Sequence, residues 1–78
     1  MEFQGDSAVL RMQGAALRSA AAEVADIARN ADHRLGSMAF RGPAADRFRS
    51  QMDERLTRLR RVGHEIDDLA RLVEESAL

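Results

Sequence analysis

Apolar residues recur along this chain at intervals of seven. Leu10, Leu17, Val24, Ala31 and Met38 form one such series, and Ala45, Met52, Leu59, Ile66 and Val73 form another. A second stripe accompanies each, with Ala20 and Ile27 in the first half and Phe48, Val62 and Leu69 in the second. Spacings of three and four place these residues on one face of an α-helix, whereas a strand would alternate at two. No stretch alternates in that way. Heptads sustained over this length predict coiled-coil-like packing at a shallow crossing angle.

The single proline, Pro43, separates the two series. Asp6 or Ser7 is the expected N-cap of the first helix, because its side-chain oxygen can accept a free backbone N–H. Gly36 suits the left-handed position that often follows a helix. Pro43 suits the first turn of the second helix, where its missing N–H removes no hydrogen bond, and Asp46 suits the positive end of that helix. The reading is all-α and a single domain: helix 1 over about 7–35, a connector over 36–42, and helix 2 over about 43–76. So short a connector makes the helices antiparallel. At 1.5 Å per residue each helix is roughly 40–50 Å long.

Two helices share one seam and cannot enclose a core. The expected interface and core residues are Leu10, Leu17, Val24, Ile27, Phe48, Met52, Leu59, Ile66, Leu69 and Val73. Helix 1 also carries Ala15, Ala16, Ala20, Ala21, Ala22, Ala25 and Ala28, a small-residue surface that either fills exposed helix positions or admits another helix. Gly63 inside helix 2 favours the second option, since a mid-helix glycine costs about 1 kcal/mol relative to alanine and often marks a close backbone contact. The expected assembly is therefore an antiparallel hairpin that dimerises into a four-helix bundle.

Composition supports this picture. The chain has 78 residues and no cysteine, so neither a disulfide framework nor a thiolate zinc site can reinforce it. Twelve basic and thirteen acidic residues give a net charge of −1, unlike the basic footprint of a general nucleic-acid binder. The residues that open the sequence, Met1-Glu2-Phe3-Gln4-Gly5-Asp6, lack a basic segment followed by an apolar one, so no N-terminal signal peptide is expected. No run is long enough for membrane insertion.

Charge is sorted along helix 2. Between positions 41 and 61 seven arginines face three acids, and between 62 and 78 one arginine faces five. Solvated surface charge explains this without any role. Alternatively, two copies packed antiparallel would set Arg55, Arg58 and Arg61 of one chain near Asp67, Asp68 and Glu74 of the other, since charge sets orientation more than affinity.

No catalytic or cofactor-binding constellation is visible. His33 and His64 lie on different helices, and neither spacing nor neighbouring carboxylates make a metal site. Adjacent acids such as Asp53-Glu54 and Glu74-Glu75 diverge around a helix and cannot act as an acid/base pair. There is no glycine-rich phosphate loop, and no small-molecule substrate is implied.

At the connector, Phe40-Arg41-Gly42, followed by Pro43-Ala44-Ala45-Asp46-Arg47-Phe48, resembles the WXG motif and its downstream helix start, with Phe in place of Trp. The segment Phe3-Gln4-Gly5-Asp6-Ser7-Ala8-Val9-Leu10 is similar to the start of many actinobacterial members. The WXG family comprises small helical hairpins of the ESAT type, exported by type VII secretion as homo- or heterodimers. The resemblance implies that Phe40 and Gly42 mark the hairpin turn. It implies that the partner is the chain itself, a WXG-like protein or a larger type VII substrate. It also implies a cytoplasmic protein that is secreted without an N-terminal signal peptide. The family's export signal, YxxxD/E beyond helix 2, has no counterpart, as tyrosine is absent. His64-Glu65-Ile66-Asp67-Asp68 matches only as HxxxD inside the helix. Export would then depend on a partner carrying the signal, or on a tail beyond this sequence. The expectation is a non-enzymatic adaptor or substrate of type VII secretion. The alternative is a cytosolic helical adaptor or regulator that contacts nucleic acid through the Arg-rich half of helix 2.

Overall fold

The computed structural model describes residues 2–39 and 41–78, with residues 2–5 described by their backbone alone. Two helices fill this span, α1 over Glu2–Gly36 and α2 over Pro43–Ser76, with no strand among the described residues. They lie antiparallel against each other as a rod 65 × 15 × 11 Å.

α1 begins before the expected cap. Asp6 and Ser7 lie within the helix, because nothing in the preceding residues breaks it and a cap would require non-helical backbone. Gly36 is the last helical residue rather than a left-handed one after it. The end is closed instead by Ser37, whose N–H donates to the His33 carbonyl at 3.1 Å and whose hydroxyl donates to the Arg34 carbonyl at 3.0 Å.

The glycine required by backbone conformation is Gly42. It has φ 112° and ψ 173°, a region essentially closed to side chains with a Cβ. Gly42 precedes Pro43 at the start of α2, and the Asp46 N–H donates to the Gly42 carbonyl at 3.0 Å. Gly42→Ala is expected to destabilise the hairpin by about 1–3 kcal/mol, read as a lowered denaturant midpoint with an unchanged slope.

The seam differs from the expected one. Leu10, Leu17, Val24, Met52, Leu59, Ile66 and Val73 lie along it, half-buried. Their companion stripe is Gly14, Ala21, Ala28 and Leu35 on α1, with Arg49, Leu56, Gly63 and Ala70 on α2 and Ala77 just after it. The two series interleave at three and four, the coiled-coil repeat. Ala28 is 1% exposed and Ala70 0%. Small residues thus let the two helices of one hairpin approach each other closely. A Cβ on Gly63 would stand 3.2 Å from Val24 Cγ1, so this glycine serves the contact inside the hairpin, not the second interface its position suggested. A Cβ on Gly14 would stand 2.6 Å from Glu74 Cγ, so the Glu74 side chain occupies the space beside that glycine.

No large side chain is fully buried among the described residues. The accessible surface is 6191 Å², against about 4,700 Å² for a compact protein of this mass. The radius of gyration is 18.1 Å, against about 11.5 Å for a compact domain of this length. The hairpin is a seam without a surrounding core.

Candidate interaction surface

Once the seam is fixed, each helix presents two flanks beside it, and the two sides of the rod are built differently. On one side the flanking positions are charged. Arg18 of α1 meets Asp67 of α2 at 3.5 Å and also bonds Glu74. Arg60 meets Asp32 at 3.3 Å. The hydrogen bond and the negative charge of Glu74 raise the Arg18 pKa above its ordinary value. These groups are about half exposed, so each pair is worth little in stability but does define which residues face which.

The same side carries a shallow groove of about 450 Å³, floored by Ala22, Ala25 and Gly63 and bordered by Arg29, Arg60 and His64. Its arginines are already engaged, Arg29 with Asp26 and Arg60 with Asp32. Among the described residues no three His, Cys, Asp or Glu side chains gather as metal ligands.

On the other side the flanks are apolar. Ile27 is 59% exposed, Val62 45% and Leu69 48%, with Ala20 between them along the rod. Phe48 and Leu72 extend this strip toward its two ends, also exposed. Ile27, Phe48 and Leu69 are thus not part of the hairpin's own seam, although their heptad spacing groups them with it. The contact with α2 is made by the smaller residues next to them, and the larger ones are displaced to the flank.

The arginines divide as well. Arg18, Arg29, Arg49, Arg60 and Arg71 have acidic partners. Among the described residues Arg34, Arg55, Arg58 and Arg61 form no ion pair. The acids expected to meet them across a dimer already have partners in the hairpin: Asp67 has Arg18 and Arg71, Asp68 has Arg71 at 3.3 Å, and Glu74 has Arg18. Sequence reasoning overlooked Arg18 because its partners lie on the other helix and only the register reveals them.

At the turn, Arg49 occupies a seam position. It donates to the Met38 carbonyl at 3.2 Å and pairs with Asp46 at 3.5 Å, which ties the connector to α2. Gly42 lies at the turn, while Phe40 falls outside the described residues. No helix among the described residues is long and apolar enough to cross a membrane. No protein-family model, curated protein or solved structure matches the chain.

Proposed function

We propose that this chain is a WXG-like protein of a type VII secretion system, which acts by adding its hairpin to a helical bundle and carries out no reaction of its own. The observation that carries this reading is the apolar flank of Ile27, Val62 and Leu69 on a hairpin that has no core. A contiguous apolar strip on a small protein marks an interaction site, and the complement to two helices is two more. The resemblance at the Gly42-Pro43 turn, which joins the two helices, supplies the secretion context. The bundle partner is the chain itself, a WXG-like protein or a larger type VII substrate, and the chain acts as adaptor or co-exported substrate.

Export tests this. Expressed alone in a host with a type VII system, this 78-residue sequence is expected to stay in the cells, because it holds no tyrosine from which such a signal could be built. Expressed with a cognate partner that carries the signal, it is expected in the medium. Secretion of the lone chain, with lysis excluded, would overturn dependence on a partner. Retention in the presence of every co-encoded hairpin protein would overturn the secretion reading. A second reading, a cytosolic regulator contacting nucleic acid, is favoured by the arginines of α2 that have no ion pair, and a DNA mobility shift abolished by salt would support it.

A further inference from the structure

We infer that the connector end of α2 binds an acidic amphipathic helix of a different protein, seating one apolar side chain of that helix beside Phe48 and its carboxylates on Arg55 and Arg58. The inference does not rest on the bundle reading. The bundle is argued from Ile27, Val62 and Leu69, whereas this site is built from residues between Met38 and Arg58.

Two features adjoin there. The first is a shallow hollow of about 390 Å³ where the connector passes into α2, lined by Met38, Arg41, Ala44, Ala45 and Phe48. Four of these five residues are apolar, and Phe48 is 42% exposed. The hairpin's own side chains leave this hollow open, and it has room for one large apolar side chain.

The second feature is a set of arginines without acids. Phe48, Gln51, Arg55 and Arg58 follow one another at intervals of three and four in α2, which places them on one face of the helix. Arg55 and Arg58 are exposed and form no ion pair among the described residues, and neither does Arg41 at the edge of the hollow. Glu54 lies one turn before Arg58, yet no ion pair joins them. The neighbouring acids are taken elsewhere, Asp46 by Arg49 and Asp32 by Arg60. The opposite side of the rod differs, since Arg18, Arg29 and Arg60 there each meet a carboxylate of the hairpin. The complement to the connector end is therefore negative charge from another molecule.

The spacing selects the form of that molecule. Arg55 and Arg58 stand about 10.5 and 15 Å beyond Phe48 along the helix axis. A helix laid along α2 with an apolar residue in the hollow presents carboxylates at those distances when they lie seven and ten residues from it. The arginine forks suit carboxylates, and their aliphatic stems extend the apolar contact. A nucleic acid would satisfy the arginines with phosphates but has no aliphatic side chain to fill the hollow.

The probe is a fluorescently labelled helical peptide of alanine and glutamine, with leucine at its centre and glutamate seven and ten residues to either side. The full chain is expected to bind it, as read by fluorescence anisotropy, and 1 M salt is expected to weaken binding by screening charge to about 3 Å. A control peptide with glutamine in place of each glutamate is expected to bind about tenfold or more weakly. Replacing Arg55 and Arg58 with Gln in one chain is expected to cost a similar factor. The charge-matched double variant Arg29→Gln, Arg71→Gln, away from the site, is expected to bind as the parent does, with circular dichroism confirming that both variants fold. Equal affinity for the glutamate and glutamine peptides would overturn the inference, as would equal losses in the two double variants. Binding of a DNA duplex or of anionic phospholipid vesicles without binding of the glutamate peptide would also overturn it, since the arginines would then serve a polyanion. None of these outcomes bears on whether Ile27, Val62 and Leu69 join a bundle.

Discussion

An Ala70→Glu chain is expected to lose its folded hairpin at ambient temperature. Ala70 is fully buried at the seam, and a Cβ on Gly14 opposite it would stand 3.5 Å from its carbonyl oxygen. There is no room there for a longer side chain, and the neighbouring cation, Arg18, is already engaged by Asp67 and Glu74. Leaving a charge buried and unpaired costs about 3–5 kcal/mol, and overpacking adds about 1–3 kcal/mol. Either figure is a large share of the 5–15 kcal/mol by which whole domains are stable, and this hairpin has no core in reserve. Circular dichroism should show helicity well below that of the parent at the same concentration. Ala15→Glu, at an exposed position of the same α1, should stay within about 0.5 kcal/mol of the parent. A loss under 1 kcal/mol for Ala70→Glu would mean that the seam opens there at little expense, contrary to its complete burial.

The second large effect is on thermal stability under dilution. A hairpin completed by a second chain is stabilised by mass action, so a hundredfold dilution removes about 2.7 kcal/mol. For a folding unit of two such chains this lowers Tm by about 5–10 °C. The helical signal should therefore melt earlier at micromolar than at submillimolar concentration, with a single transition at each. A melting temperature that does not move over that range, together with a monomeric mass by light scattering, would show that the two helices are stable unaided.

The two helices and the turn between them were legible in the sequence because Pro43 interrupts two sets of heptads. The seam was only half legible. Leu10, Leu17, Val24, Met52, Leu59, Ile66 and Val73 are large and apolar, and their spacing exposes them. Gly14, Ala21, Ala28, Gly63 and Ala70 carry little hydrophobic signal, yet they are the residues that let the helices approach. Large residues at the neighbouring positions, Ile27, Phe48, Val62 and Leu69, masked them by continuing the same period. Arg49 ran against the pattern, as a charged side chain at a seam position, tolerable because it lies beside the connector with a carbonyl to receive it. The start of α1 was misplaced because Asp6 and Ser7 have the chemistry of a cap, while the backbone before them had no reason to leave the helix. Ion pairs between helices were not legible at all, since they depend on register.

The placement of the turn at one end of the rod has a consequence for how the surface comes into being. Arg49 reaches Met38 across 11 residues of chain, whereas Arg18 reaches Glu74 across 56. Closing the longer loop directly costs about 1.4 kcal/mol more in chain entropy. Assembly therefore proceeds as a zipper from Gly42 outward, each turn of helix shortening the loop that the next must close. The Arg18–Glu74 contact, near the open end, is expected to form late and part early. The apolar strip shares this gradient: beside Phe48 it is longest-lived, and toward Leu72 it lasts only as long as the open end stays shut. A partner that holds the open end closed would thus extend the lifetime of the surface on which it sits.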